Sequence, residues 1–449
     1  VLDADLLDRG GRVVLSRTCP DHGEFEAVVY GDAERYLDIQ RFSKPGEEPR
    51  ERQTPVTRGC PHDCGICPEH RQHTCLGIIE INTACNLDCP ICFADSGTGP
   101  QEHGYSLTLE QTERMLDAFV SAEGDPESIQ ISGGEPTVHP QVLEILAATK
   151  ARGIPLVMLN TNGIRLARDP GFAPALAELG VHVYLQFDGL EAATHEAMRG
   201  KDLRAEKRGA LERCADAGVS VSLAAAVERG LNEHEVGAIL RFGIDHPAVT
   251  GVFFQPVTHS GRFRVDADPL DKLTNSDVIE AIARQLPEWF REDDFVPIPC
   301  CSPTCRSATF ALYDGQDLVP LPRLVDVESY LDYVTNRAVP KLEVREALEG
   351  LWSAKAAGGS DPVSERLECV ACASAIPAEL REVAARGFMI VVQDFQDPYT
   401  LDVEKLRKCC VSEIAPDGRL IPFCAYNSAG YREQVRLAMS SANGNGRAR

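Results

Sequence analysis

The sequence predicts an α/β fold, a partial (β/α)6 barrel of the TIM type, on two observations. Between about Gly77 and Pro256, short runs rich in β-branched residues alternate with longer runs whose apolar residues recur at helical spacing. Each polar motif that could carry chemistry falls just after one of the short runs. Strands separated by helices pair in parallel through right-handed crossovers, and in such barrels ligands meet the C-terminal strand ends.

Six strands are expected: "GIIEIN", "SIQIS", "PLVMLN", "VHVYLQF", "VSVSLAAAV" and "GVFFQP". Between them, "SLTLEQTERMLDAFVSA", "PQVLEILAATKARG", "FAPALAELG", "EKRGALERCADAG" and "HEVGAILRFGID" carry Leu, Ala, Ile and Val at helix-like intervals. Residues 77–262 are assigned to this barrel. Ahead of it, residues 1–57 hold two strand-like runs around "CPDHG", and residues 58–76 form a Cys-rich loop. Behind it, residues 263–435 carry most of the remaining cysteines, and Pro416-Asp417-Gly418 between two apolar runs predicts a hairpin. The tail, 436–449, ends in "SSANGNGRAR" and reads as disordered.

Composition narrows the function classes. With 449 residues, 43% of them apolar, the chain can bury a large core. Its 68 acidic side chains outnumber 45 basic ones, and the net charge of -23 repels nucleic-acid phosphates and anionic membrane surfaces. No apolar run approaches the roughly 18 residues of a transmembrane helix, and no signal-peptide pattern opens the chain. A cytoplasmic location follows as the expectation, without a nucleic-acid partner. In that reducing compartment 17 cysteines, an odd number, point to metal binding rather than disulfides.

Cys85, Cys89 and Cys92 follow the first predicted strand closely enough for one loop to wrap three corners of a cubane. A 4Fe-4S cluster would keep its fourth iron open; a zinc site would want a fourth ligand, from Asp88 or Asp95. Cys60, Cys64, Cys67 and Cys75 offer a complete set for a second cluster, with zinc as the alternative. Cys300, Cys301, Cys305, Cys409, Cys410 and Cys424 offer surplus ligands for a third, and the expected set is Cys301, Cys305, Cys410 and Cys424, with the hairpin bringing Cys410 and Cys424 together. Cys369 and Cys372 could join it, bind a separate ion or stay free, and Cys214 on a helical run belongs to the core. Cys19 resembles the second half of a zinc-ribbon or rubredoxin-like knuckle, which would hold iron or zinc only if further cysteines precede Val1. The absence of an initiator Met suggests such upstream residues.

Three further motifs follow successive strands: "GGEP" at 133–136, "NTNG" at 160–163 and "QFDG" at 186–189. Paired glycines admit a close ligand approach, and Glu135 beside them offers a carboxylate to a cationic amine. With "CNLDCPIC" they resemble the radical S-adenosylmethionine (SAM) superfamily. That resemblance implies a SAM-binding 4Fe-4S cluster on Cys85, Cys89 and Cys92, with probable auxiliary clusters at the two other cysteine sets. It places Gly133, Gly134, Glu135 and Pro136 at the methionine amine, Thr161 and Asn162 at the ribose or carboxylate, and Asn160, Gln186 and Asp188 as further contacts. A reductase, ferredoxin or flavodoxin would donate the electron.

"TRGCPHDCGICPEHRQHTC", "FFQPVTHSGR" and "DPYTLDVEKLRKCCVSEIAPDGRLIPFCAYN" further resemble the archaeal tetraether lipid synthases and their relatives, the dihydropterin methylases. What this implies first is carbon–carbon coupling of lipid tails, through an apolar tunnel and transient membrane contact. Methylation of a pterin or another small molecule, in a polar closed pocket, is the alternative; peptide modification is the second.

Overall fold

The computed structural model describes residues 2–99, 103–313, 318–323 and 387–444. Its first sheet is antiparallel and made of β1 (Asp5–Arg9), β2 (Arg12–Cys19) and β3 (Gly23–Tyr30). Val13, Leu15, Val29 and Tyr30 on this sheet close a small core with Ile39 and Phe42.

The second sheet holds all six expected strands, in chain order and in parallel: β4 (Leu76–Glu80), β5 (Ser128–Ser132), β6 (Leu156–Thr161), β7 (His182–Gln186), β8 (Val221–Val227) and β9 (Val249–Pro256). The intervening helices form because their apolar positions share one face. In Leu109–Glu123, for example, Met115, Leu116 and Phe119 are buried, and a Thr108–Gln111 capping box satisfies the first turn. Strand side chains alternate between two environments. Ile79, Ile131, Leu159 and Leu185 pack in the main core, while Ile78, Gln130, Met158 and Tyr184 face a cavity.

The C-terminal region is not a separate body, as the sequence suggested, but part of the same sheet. After β10 (Val296–Pro297), β11 (Arg306–Tyr313) and β12 (Leu318–Pro320), β13 (Gly387–Gln393) adds parallel to β9, and β14 (Val411–Ile414) adds parallel to β4. Eight parallel strands result, in the order β13-β9-β8-β7-β6-β5-β4-β14, within a 12-stranded sheet that stays open. β15 (Leu420–Pro422) pairs antiparallel with β14, so the Pro416-Asp417-Gly418 hairpin forms as expected.

The tail is also different. Residues expected to be disordered from 436 onward continue a helix, Tyr431–Gly444. Tyr431, Val435 and Met439 recur every fourth residue and all are buried, a helical stripe that gives the segment something to dock. No helix among the described residues is long and apolar enough to cross a membrane.

Tyr431 ties this helix to the Cys-rich loop, its hydroxyl accepting from Cys64 N at 3.0 Å and donating to Pro61 O at 2.8 Å. Tyr431→Phe should therefore lower stability by about 1–3 kcal/mol, the cost of buried backbone groups left unpaired. A denaturant midpoint equal to wild type would show that water replaces the hydroxyl.

Candidate functional site

The chain leaving β4 carries the three-cysteine loop. Cys85, Cys89 and Cys92 converge on a small apolar cluster with Leu87, Ile164 and Leu203. Burial pushes the Cys85 thiol up to about 12 and raises that of Cys89, against the pull of Arg199. Arg262 pins the loop from the β9 side: Nε donates to Cys89 O at 3.1 Å, and its backbone exchanges two 2.9 Å bonds with Cys92. Neither candidate for a fourth zinc ligand is free. Asp88 accepts from Thr98 N at 2.7 Å, and Asp95 pairs with Arg262 at 2.9 Å. Three clustered thiols, with Asp88 and Asp95 both engaged elsewhere among the described residues, fit a cluster that keeps one iron open.

The Gly-Gly pair lies against this same chain. Gly134 N donates to Asn82 O at 2.8 Å and Glu135 N to Ala84 O at 2.9 Å. A Cβ on Gly133 would fall 2.4 Å from Asn82 O, and one on Gly134 2.4 Å from Ala84 O. The close approach read from the sequence as room for a ligand is thus an approach of backbone to backbone. Beside it the Asn82 Oδ1 atom is buried without a hydrogen-bond partner.

Several residues expected to touch a cofactor are held by one another within the chain. Glu135 is buried and accepts from Thr137 N (3.1 Å), Thr137 Oγ1 (2.5 Å), Thr161 Oγ1 (2.7 Å) and Asn162 N (2.7 Å). Pro136 opens the short turn that presents Thr137. Asn162 spends its amide on Asn86 Oδ1 at 2.6 Å. Asp188, fully buried, receives Arg199 in a fork of 2.6 and 2.8 Å, and Arg199 reaches Ile91 O in the cysteine loop at 3.0 Å. Buried carboxylates without such partners would be costly, so the chain supplies them. Gly133, Asn160 and Gln186, by contrast, do border the open cavity.

Sequence reasoning missed Arg199, Arg262 and Lys207. Lys207 donates to Asn162 O at 2.7 Å and Gln186 Oε1 at 2.6 Å, and burial lowers its ammonium to about 7 against the field of Asp188. On a helix with the pattern "EKRGALER" nothing distinguished it from a solvated lysine. The only available signal for Arg262 was its place just beyond the last strand.

The other cysteines regroup. Cys60, Cys64 and Cys67 border one crevice with Asp63 and His70. Cys75 is not with them: its Sγ lies within 4.8 Å of those of Cys300 and Cys410. The cause is sheet register, because β14 pairs with β4 and sets Val411 opposite Leu76, making Cys410 and Cys75 neighbours. Cys301 joins this group through Cys300, Cys305 and Cys410. Cys424, expected beside Cys410, accepts from Gln396 N at 3.4 Å and lies in the field of Cys305 and Cys409. The third thiol beside Cys75 and Cys410 is that of Cys300. Cys214 is buried as expected, and Cys369 and Cys372 lie outside the described residues. Cys19 Sγ stands 3.3 Å from His22 Nδ1 at the β2–β3 turn. Every cysteine among the described residues is free of disulfides.

Between these thiol groups lies a cavity of about 670 Å³. Cys75, Cys300 and Cys410 border it where β4 and β14 begin; Gly133, Asn160, Gln186 and Arg199 border it at the opposite strand ends. Its walls are largely apolar, with Ile78, Met158 and Phe253, but Glu80, Gln130, Gln255 and Glu413 interrupt them.

An α/β sheet with a three-thiol loop beyond its first parallel strand and a cavity beneath it defines a cluster-bearing enzyme scaffold. Residues 79–243 match the family model of the radical SAM superfamily, and residues 1–31 match the HMPTM N-terminal zinc ribbon domain. A 7,8-dihydro-6-hydroxymethylpterin dimethyltransferase of Methanocaldococcus jannaschii is 31% identical, over 98% of this chain and 93% of the relative. A GTP 3',8-cyclase of Pelotomaculum thermopropionicum is 32% identical over 44% of this chain and 62% of its own. Among solved structures, Streptococcus suis SuiB bound to S-adenosylmethionine is similar with a TM-score of 0.38 and 15% identity, covering 49% of this chain and 55% of that one. The chain belongs to the radical SAM superfamily. It is an enzyme that uses a 4Fe-4S cluster and SAM.

The regrouping is testable by metal analysis. Cys75→Ser should remove the same iron as Cys300→Ser and leave unchanged whatever metal Cys60→Ser removes, read as iron per chain after anaerobic reconstitution. Loss of metal shared instead between Cys75→Ser and Cys60→Ser variants would restore the grouping drawn from spacing.

Proposed function

We propose that this enzyme methylates a reduced pterin or a close heterocyclic relative. The observation that carries this reading is the cavity: apolar faces suited to a flat ring, broken by buried amides and carboxyls suited to its edges. The end-to-end similarity to the archaeal dimethyltransferase supports it. Coupling of lipid tails, favoured from sequence, would need an apolar channel. Hydrocarbon in this cavity would leave Gln130 and Glu413 desolvated and unpaired, at about 1–3 kcal/mol each.

In this reading Cys85, Cys89 and Cys92 hold the SAM-binding cluster, and Gly133, Asn160 and Gln186 border the SAM end of the cavity. When bound, cluster and SAM together supply a 5'-deoxyadenosyl radical able to take hydrogen from unactivated carbon. The chain's own part is positioning. Glu135 fixes residues 161–162 against the cysteine loop; Asp188 aims Arg199 at Ile91 O; Arg262 holds the loop's far side. Cys75, Cys300, Cys301 and Cys410 offer an auxiliary site at the cavity's other end, where a cluster would face the substrate and exchange electrons with it. The electron donor would be a ferredoxin, flavodoxin or reductase.

Incubated anaerobically with SAM, a strong reductant, a methylene-bearing reduced folate as one-carbon donor and 6-hydroxymethyl-7,8-dihydropterin, the reconstituted enzyme should yield deoxyadenosine, methionine and pterin carrying one or two added methyl groups by mass spectrometry. Deoxyadenosine with unaltered pterin, alongside coupled tails when lipid is supplied, would reverse the choice. Cys89→Ala should abolish deoxyadenosine formation while retaining iron at the other sites; cleavage at the wild-type rate would remove this loop from the chemistry.

A further inference from the structure

Most polar side chains on the cavity wall already have partners within the chain. Glu80 binds Arg432 at 2.8 Å and the Tyr426 hydroxyl at 3.1 Å, and Gln255 Nε2 donates to the Tyr184 hydroxyl at 3.0 Å. Glu413 and Gln130 differ. They are 2% and 7% exposed, both border the cavity, and no hydrogen bond from a described residue reaches the Glu413 carboxyl or the Gln130 carboxamide.

Register puts them at one height. Glu413 on β14 and Gln130 on β5 both stand opposite Ile78 of β4, one on each side. Two strand spacings, about 10 Å, separate their backbones. Ile78, which also borders the cavity, lies between them as an apolar floor. The wall here therefore offers a carboxyl whose pKa burial and neighbouring Glu80 push up against the pull of Arg432, an apolar strip, and a group that both donates and accepts. Leaving such groups without a hydrogen-bond partner is unfavourable, and a ligand whose paired N–H donors favour the ionised carboxylate relieves it.

We propose that Glu413 and Gln130 recognise the substrate's 2-amino-4-oxopyrimidine edge, Glu413 accepting from the ring N–H and the adjacent amino group and Gln130 meeting the carbonyl side. This deepens the pterin reading above and rests on it. Two parallel N–H donors on one planar edge match a carboxylate's two oxygens, as the guanidinium of arginine does. Glu80 cannot take that role, because Arg432 and Tyr426 occupy both of its oxygens. The pair also gives the site a reason to reject an isostere lacking the amino group, since that ligand would leave a Glu413 oxygen unpaired.

The test is anaerobic fluorescence titration of the reconstituted enzyme with 6-hydroxymethyl-7,8-dihydropterin and with its analogue lacking the 2-amino group. Wild type should prefer the parent by about 10- to 100-fold. At equal iron content and helicity, Glu413→Gln should weaken the parent by a similar factor and lose most of that preference, and Gln130→Leu should weaken both ligands. Unchanged affinity and preference in Glu413→Gln would overturn the assignment while leaving the pterin reading intact. So would a wild type that binds both ligands alike, a result that needs no variant to fold. A wild type that binds neither ligand would remove the pterin reading, and the assignment with it.

Discussion

The rest of the site depends on a backbone contact: the strand exit at residues 82–84 lies so close to residues 133–135 that neither Gly133 nor Gly134 has room for a Cβ. The two main-chain bonds across this seam set the cysteine loop and the Gly-Gly loop as one rigid piece. They also carry Glu135 inward, where four donors from residues 137, 161 and 162 close on its carboxylate. Three successive strand ends are thereby locked through a single buried charge. A side chain at either glycine would push on peptide carbonyls rather than on flexible atoms, so the strain could not relax locally.

The C-terminal chain has a second, architectural role. By adding β13 beyond β9 and β14 beyond β4, it lengthens the parallel sheet from six to eight strands and lines both flanks of the cavity. Met389 and Val391 come from one flank, Val411 and Glu413 from the other. The same strand that delivers Glu413 begins next to Cys410, so cavity wall and thiol group are set by one register. The six strands of the motif-bearing segment alone would leave the cavity without either wall.

Local patterns made much of this legible. All six strands were readable because each is a compact β-branched run with helix-period sequence on either side, and the cysteine triad was readable because its ligands lie within one loop. What escaped depends on pairing across long separations. Cys75 is 15 residues from Cys60 and hundreds from Cys410, yet strand register sets it beside the latter, and Cys300 joins them. Glu135 and Asp188 stand out in sequence by their position after strands, but sequence gives no sign that donors within the chain already reach them. β14, only "VSEI", is too short to show a period, and with it the approach of Cys410 to Cys75 stayed hidden.

Charge explains how an acidic chain can bury so many thiols. Each of the two main thiol groups has a buried guanidinium beside it. Arg199 reaches the loop of Cys89, and Arg306 lies near Cys300, Cys301 and Cys410; burial works against both cations, but the neighbouring acidic groups hold them protonated. A positive charge fixed next to a cluster favours the form carrying the extra electron, which raises its reduction potential. Asp188 tempers this at the SAM end, since its bidentate hold on Arg199 offsets most of that charge, whereas Arg306 is held by neutral Gln393 and keeps its full field. Arg306 would thus present a positive charge, without a carboxylate partner among the described residues, to a cluster held by Cys75, Cys300 and Cys410.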